Sequence, residues 1–383
     1  MAPHKTPLNV ALIGQQFMGR AHSNAWRQVG RFFERPFEPV LHTVAGKNPR
    51  TIGGFARRWG WENHTANWQD IAADDAVQLV DIGTPNHLHK EQALAMLSAG
   101  KHVACEKPLA GTLDDARTMR DAARRARKSE TFVWFNYRRC PAVALAWELV
   151  QEGRLGDIHH VRASYLQSWG GPGTPMSWRF QKKFAGSGAH GDLNAHIVDM
   201  ARFLTDDEID VVHGATARTF VKQRKQPGGG KARSNVDDAL LFLAGFKGGA
   251  VASFEASRAA TGHLNRNTME LNGSKGSLRF DFEDMNVLQL FEAKDGGHTD
   301  GWRRIMCTHP HHPYAKEWWP DAHVLGYEHG FVNMAADILA VLAGGIPEVP
   351  LPDFADAYET QRVLEAALQA VDSRCAVKLS GVR

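Results

Sequence analysis

A chain of 383 residues, 43% of them hydrophobic, can fill two cores. Its 45 lysines and arginines nearly balance 42 aspartates and glutamates, which excludes the global field of a nucleic-acid or acidic-membrane binder. The four cysteines at 105, 140, 307 and 375 form no C-x-x-C pair, so neither a disulfide framework nor a zinc site is expected and a reducing compartment fits.

No apolar segment approaches the roughly 20 residues of a membrane span. The opening MAPHKTP has no apolar h-region, so the cytoplasm is the expected location. The run LNVALIG (8 to 14) ends in glycine and precedes a helix-like stretch from Phe17 to about Val29, giving a strand, a tight turn and a helix. VLHTVAG, VQLVDIGT and HVACEKP then read as strands, alternating with helices over TIGGFARRWG, HKEQALAMLSAG and about 114 to 128, before a closing strand TFVWFNY. Such alternation predicts βαβ units and a parallel sheet. The basic run Arg124, Arg125, Arg127, Lys128 falls near a helix end, where cations suit the dipole, and reads as a solvated face.

From about Gly156 the texture changes. IHHVRASYLQSW, IDVVHGATARTFVKQ, DDALLFLAGF, GAVASFEASRA, TMELNGSKGSLRFDF and VLQLFEA are longer strands with partial alternation and glycine-rich turns, which predicts an antiparallel sheet covered on one face by helices. KQRKQPGGGKAR (222 to 233) reads as a mobile hairpin tip, and two amphipathic helices close the chain. The predicted fold class is α/β: a doubly wound parallel sheet over residues 1 to 138, then an α+β domain over 139 to 383 with a large, mostly antiparallel open sheet. The C-terminal helices are free to pack back on the first domain.

Gly14-Gln-Gln-Phe-Met-Gly19 follows a strand and opens a helix, the context of a dinucleotide fingerprint. Gln16 stands where that motif carries its middle glycine, so its side chain must point away from a pyrophosphate resting on the helix N-terminus. A plain strand-to-helix turn is the alternative. The second strand ends at Gly46-Lys47, where an NAD-preferring protein carries an acid for the ribose 2′-hydroxyl; a lost acid and a gained cation tilt the choice towards NADP. Two more strand ends, Gly83-Thr-Pro-Asn-His-Leu-His89 and Cys105-Glu-Lys-Pro108, face the same crevice, and Lys107 there is suited to steadying an alkoxide-like charge.

GSGAHGDLNAHIVDMARFL (186 to 204) puts Asp192, His196 and Asp199 at i, i+4 and i+7, one face of a helix. Glycines 186, 188 and 191 are expected to let the helix start approach a ligand. Asp192 would orient His196 and raise its basicity, suiting it to move a proton near neutral pH. The alternatives are a solvated face with a satisfied histidine, or metal ligation, which would need ligands that cannot be placed. No metal is expected.

Taken in order, GQQFMGRAH, TPNHLH, AGKHVACEKPL, GDLNAH and NGSKGSLRF resemble the Gfo/Idh/MocA oxidoreductase family over nearly the whole chain. That resemblance implies an N-terminal Rossmann domain and a C-terminal α/β domain whose open sheet mediates oligomers. It places Lys107, Asp192 and His196 on the family's catalytic positions, and Gly14, Gly19, Thr84, His89 and Glu106 on its cofactor-binding positions. Gln16, Phe17, Met18, Lys47, Pro85, Asn136 and Arg179 are further expected cofactor contacts, with Lys107 counted among them too.

The expected activity is NAD(P)-dependent oxidation of a secondary alcohol of a sugar, anhydrosugar or cyclitol. Tyr137, Arg138, Trp169, Trp178, Asp192 and His196 are the expected substrate residues, with core packing and structural salt bridges expected to claim two or three of the first four and Arg179. An NAD-dependent glycosidase using transient ring oxidation is the alternative; it needs a C–H base, for which His190, Tyr137 and the segment 309 to 312 are candidates. A non-catalytic sensor is a third reading, opposed by the intact lysine, aspartate and histidine. The expected partners are a small carbohydrate and further copies of the chain, as a homodimer or homotetramer through the C-terminal sheet.

Overall fold

The computed structural model describes residues 5–293 and 297–382; the start of MAPHKTP thus lies outside the described residues. The chain divides into two compact units. The first is built from the chain up to Ala110, Asp114–Arg139 and Gly326–Tyr358, the second from Gly111–Leu113, Cys140–Leu325 and the chain from Glu359 on.

In the first unit β1 (Thr6–Ile13), α1 (Phe17–Phe32), β2 (Phe37–Ala45), α2 (Pro49–Trp59), β3 (Asn63–Thr65), α3 (Gln69–Ala73), β4 (Leu79–Ile82), α4 (His89–Ser98), β5 (His102–Cys105), α5 (Leu113–Arg125) and β6 (Thr131–Val133) alternate as predicted. The six strands run parallel in the order β3-β2-β1-β4-β5-β6. Helices cover both faces of such a sheet, so its central strands are largely apolar: Val10, Leu12, Leu79, Val80 and Ile82 are all closed to solvent. The strand order reverses between β1 and β4, the switch point where a crevice opens at the carboxyl ends. β3 and α3 escape the sequence patterns because each is under six residues long.

The expected strand TFVWFNY stops at Val133. Trp134 turns its indole N–H onto Asp81, and Asn136–Arg139 form a 3-10 turn. That turn carries a cation inward: Arg139 and Asp337 form a fully buried pair at 3.2 Å, and Asn333 Nδ2 donates to the Arg139 carbonyl. Both partners come from the helix His329–Leu342, which thereby belongs to the first unit.

A charged cluster lies at the centre of this unit. His22, on α1, is wholly buried between Asp81 of β4 (Nδ1 to Oδ1, 2.9 Å) and Glu106 after β5 (Nε2 to Oε1, 3.0 Å). Trp26 and Trp134 donate their indole N–H groups to the two oxygens of Asp81 at 2.7 and 3.0 Å. Burial by itself would lower the imidazole pKa, but the charges of Asp81 and Glu106 and the hydrogen bonds to them hold it up at about 9.

The second unit contains α6 (Pro141–Gln151), β7 (Ile158–Leu166), α7 (Lys182–Ala185), α8 (Ala195–Thr205), β8 (Ile209–Arg218), β9 (Gln223–Lys225), β10 (Lys231–Arg233), β11 (Ala239–Phe246), β12 (Val251–Ser257), β13 (Arg266–Gly273), β14 (Gly276–Asp281), β15 (Val287–Glu292), β16 (Arg303–Met306) and β17 (Val377–Lys378). Nine of these strands form one sheet, in the order β16-β15-β14-β13-β7-β12-β11-β8-β17, antiparallel except where β7 meets β12. One face packs on α6 and α8 and is apolar: Val161, Leu240, Phe254, Leu271 and Leu278 are buried there.

The opposite face mixes apolar side chains with paired charges. Leu241, Leu243 and Val251 are exposed on it, but they sit among the ion pairs Arg279–Glu270 (3.1 Å) and Arg266–Asp281 (3.3 Å). The segment 222 to 233 is a hairpin of β9 and β10, and it is tied down. Arg224 is buried, pairs with Asp238 at 3.0 Å, donates to Gly170 O at 2.8 Å and lies 3.6 Å from the centre of the Phe180 ring.

Stability should therefore peak near pH 6.5. A pKa raised on folding adds stability below the unfolded value of 6.5 that is lost as pH rises through about 9, and His22 is such a group. His89 and His190 have pKa values lowered by burial, so they cost stability as pH falls below 6.5. Urea midpoints followed by tryptophan fluorescence check this. A midpoint that climbs steadily from pH 6.5 to 9 contradicts a buried imidazolium.

Candidate active site

At the crevice of the first unit, Gly14 has φ +130°, and a Cβ on it would sit 2.6 Å from the Gly83 carbonyl oxygen. The turns after β1 and β4 thus touch backbone to backbone. A Cβ on Gly19 would meet Gly14 O at 2.3 Å, so the first turn of α1 is pressed on the same loop. Gln16 is the N-cap of α1 with φ −87° and an exposed side chain that caps nothing. An ordinary φ explains why this position tolerates a side chain, and the uncapped first turn leaves its N–H groups for an anion. Met18 is half-buried; Phe17 is 51% exposed and stacks on Tyr327 at 6.1 Å.

A Cβ at Gly46 would lie 2.7 Å from Ile52 Cδ1 and 2.8 Å from Gln15 Oε1, so an acid there would displace those two side-chain ends. The Gln15 carboxamide fills that space, donating from Nε2 to Thr51 Oγ1 at 3.0 Å while its buried Oε1 meets no donor. Lys47 beside it is exposed. A glycine-pinched turn, an uncapped helix start and a buried, unengaged acceptor fit a dinucleotide.

After β4, Thr84 Oγ1 donates to Gln92 Oε1 at 2.6 Å and Pro85 begins the short turn 86 to 88. His89 is closed to solvent. Its Nε2 faces Thr84 O at 2.8 Å and its Nδ1 faces Pro108 O and Leu109 O, both at 3.2 Å, so it ties the two strand-end turns together from behind. After β5, Glu106 Oε2 accepts the Lys107 amide N–H at 3.0 Å, Lys107 is half-buried, and the Lys107–Pro108 peptide is cis.

Asn136 and Tyr137 are 4% and 6% exposed; Arg138 is 3% exposed and pairs with Asp356 at 2.7 Å, a structural salt bridge. Sequence reasoning missed Tyr327. Burial and the neighbouring Tyr137 and Glu106 push its phenol pKa up, so it offers a proton. The offset from Phe17, its stacking partner, is 310 residues, which no local pattern encodes.

In the second unit the helix carrying Asp192 opens with a π turn, His190–Asn194, before α8. Glycines 186 and 188 before it are pressed against the protein's own backbone. A Cβ on Gly188 would fall 1.7 Å from Asp237 O, and one on Gly186 1.9 Å from Gly111 O. Asp237 also caps the turn through its carboxylate, accepting from the N–H groups of Gly188 (2.6 Å) and His190 (2.8 Å). His190 is buried with Nε2 on Leu364 O at 2.8 Å and Nδ1 on Asn194 Nδ2 at 2.9 Å. Both nitrogens are engaged and burial lowers its pKa, which removes it as a base.

Asp199, 1% exposed, lies in the core and not on a cleft wall. Asp192 is 3.7 Å from Arg258, whose side chain is almost wholly buried and lies near the Trp169 and Phe180 rings. His196 is 7% exposed, its ring 5.7 Å from that of Tyr165. From Tyr165 a polar strip runs outward: Tyr165 Oη and Gln167 Nε2 both donate to Asn265 Oδ1, and Trp169 Nε1 donates to Gln167 Oε1. The spacing of two in SYLQSW was the available signal for Tyr165 and Gln167. Arg179 lies over the Trp178 ring at 4.5 Å, and its carbonyl faces Arg258.

Residues 8–134 match the model of an oxidoreductase family with an NAD-binding Rossmann fold, and residues 143–279 match the GFO/IDH/MocA C-terminal domain. The chain belongs to the Gfo/Idh/MocA oxidoreductase family. Levoglucosan dehydrogenase of Pseudarthrobacter phenanthrenivorans is 41% identical over 379 residues, 95% of this chain and 96% of that one. Among solved structures, an oxidoreductase domain protein from Kribbella flavida superposes with a TM-score of 0.94 at 47% identity, covering 98% of this chain and 99% of that one. Levoglucosan dehydrogenase in complex with NADH and levoglucosan superposes with a TM-score of 0.93 at 41% identity, covering 98% and 100%. This Gfo/Idh/MocA chain is therefore an NAD(P)-dependent oxidoreductase, with a Rossmann fold over residues 8–134.

Lys47 is exposed and is the cation on which the tilt towards NADP rests, so the cofactor's ribose end is altered there. Lys47→Glu should move preference towards NAD, since a carboxylate there binds ribose hydroxyls and repels a 2′-phosphate. Fluorescence titration with NADH and NADPH checks it. Wild-type protein that already binds NADH tenfold tighter than NADPH contradicts the tilt.

Proposed function

We propose that this protein oxidises a secondary alcohol of an anhydrosugar, pyranose or cyclitol, and that Lys107, Asp192 and His196 carry the chemistry. The observation that supports it most is the similarity to levoglucosan dehydrogenase along 95% of the chain. The bound nicotinamide supplies the hydride acceptor. His196 takes the hydroxyl proton, Asp192 orients the imidazole, and Arg258 at 3.7 Å steadies the Asp192 carboxylate. Lys107 polarises the reacting oxygen and stabilises its developing charge. Gln167, Asn265 and Trp169 offer the mix of hydrogen-bonding groups and exposed aromatic face that suits a polyol ring.

The glycosidase reading has lost one candidate base in His190, and no feature favours it over net oxidation. We also place the protein in the cytoplasm, in keeping with its free cysteines. No described helix is long and apolar enough to cross a membrane. Copies assemble through the open sheet face, where Leu241 and Leu243 sit among paired charges.

His196→Ala and Lys107→Ala should each lower turnover roughly 100-fold or more while leaving the fold intact. The test is a panel of anhydrosugars, pyranoses, cyclitols and aryl glycosides with both cofactors, following nicotinamide absorbance and aglycone release. Near-normal turnover in either variant removes that residue, and aglycone release without net cofactor reduction overturns the dehydrogenase. In light scattering a dimer or tetramer is expected at micromolar concentration; a monomer contradicts the assembly.

A further inference from the structure

The buried cluster around His22 is used neither by the dinucleotide turn nor by the proposed chemistry. Its geometry nevertheless ends on a catalytic residue. Trp26 and Trp134 hold Asp81, Asp81 Oδ1 meets His22 Nδ1, His22 Nε2 meets Glu106 Oε1, and Glu106 Oε2 accepts the Lys107 amide. His22, Asp81 and Trp134 are 0% exposed and Glu106 is 4% exposed. Asp81 is held by two indoles and in turn holds His22 Nδ1, so the ring presents its other nitrogen to Glu106 in a fixed direction. A carboxylate accepting a hydrogen bond from the next residue's amide has several rotamers open to it. The imidazole selects one by binding the other oxygen.

We propose that His22 is a positioning residue for Lys107, acting through the Glu106 carboxylate. The proposal rests on the reading of Lys107 given above. His22 never reaches the substrate; it fixes the main chain from which the lysine side chain projects. A pKa held up at about 9 keeps both ring N–H groups in place at neutral pH, the state that donates to both carboxylates at once. Small displacements of a catalytic group are costly, on the order of 100-fold for 1 Å.

Two near-isosteric variants separate positioning from simple fold support. The amide nitrogen of glutamine falls near the imidazole Nε2 position and that of asparagine near Nδ1. His22→Gln therefore keeps a donor to Glu106, and His22→Asn keeps only the donor to Asp81. The expected result is a kcat lowered about tenfold or more in His22→Asn and at least threefold higher in His22→Gln than in His22→Asn, with similar melting temperatures and NADH dissociation constants within about threefold of wild type. Equal kcat losses in the two variants, or no loss in His22→Asn, overturn the proposal.

If neither variant folds, nitrogen-edited spectra of the wild-type histidine rings decide. One ring retaining both N–H protons at about pH 7.5 supports the clamp, and only rings with a bare nitrogen overturn it. Lys107→Ala is measured alongside. A large loss there without the Asn/Gln difference overturns the His22 role alone, whereas near-normal turnover overturns the reading of Lys107 and the proposal with it.

Discussion

The first unit is organised by an imidazolium buried between two carboxylates. Moving such charges out of water costs several kcal/mol each, and that cost is offset only when every polar atom finds a partner. Here the partners come from α1, β4, the turn after β5 and the residue after β6, so one cluster ties three successive strands of the parallel sheet to one helix. The backbone at those carboxyl ends inherits that rigidity. Lys107, Thr84 and the Gly14 turn all project from it, and His89 adds a second tie between the turns after β4 and β5.

A similar economy governs the second unit. Arg258 and Arg224 are buried cations, each set against the Phe180 ring. Adjacent acids, Asp237 and Asp238, divide the local polar groups between them. Asp238 pairs with Arg224 and accepts the amides of Phe220 and Val221, while Asp237 caps the turn that carries Asp192. The helix bearing the proposed proton acceptor is thus held by carboxylates that have no part in proton transfer.

Glycine is used in both units for contact between protein backbones. Gly14 against Gly83 and Gly188 against Asp237 are approaches that a single methyl group would forbid. At the first pair the result is a turn whose helix-start N–H groups stay uncapped, and at the second a π turn pressed onto the Asp237 backbone. In both places the glycine is required by the protein's own backbone.

The alternation of strands and helices, the strand-turn-helix around Gly14–Gly19 and the long alternating strands after Gly156 were legible in the sequence because periodicity and turn chemistry are local. The proposal for Lys107, Asp192 and His196 likewise rests on motifs only a few residues long. Everything that depended on distant partners was decided by the tertiary structure. His22 lies 59 residues from Asp81 and 84 from Glu106, Phe17 stacks on Tyr327, and the carboxamide of Gln15 occupies the space beside Gly46. Arg138, expected as a polyol donor, pairs with Asp356, 218 residues away. A side chain's local spacing fixes which face of its element it occupies, but whether that face meets solvent, a ligand or an opposite charge is set by how elements far apart in the chain pack.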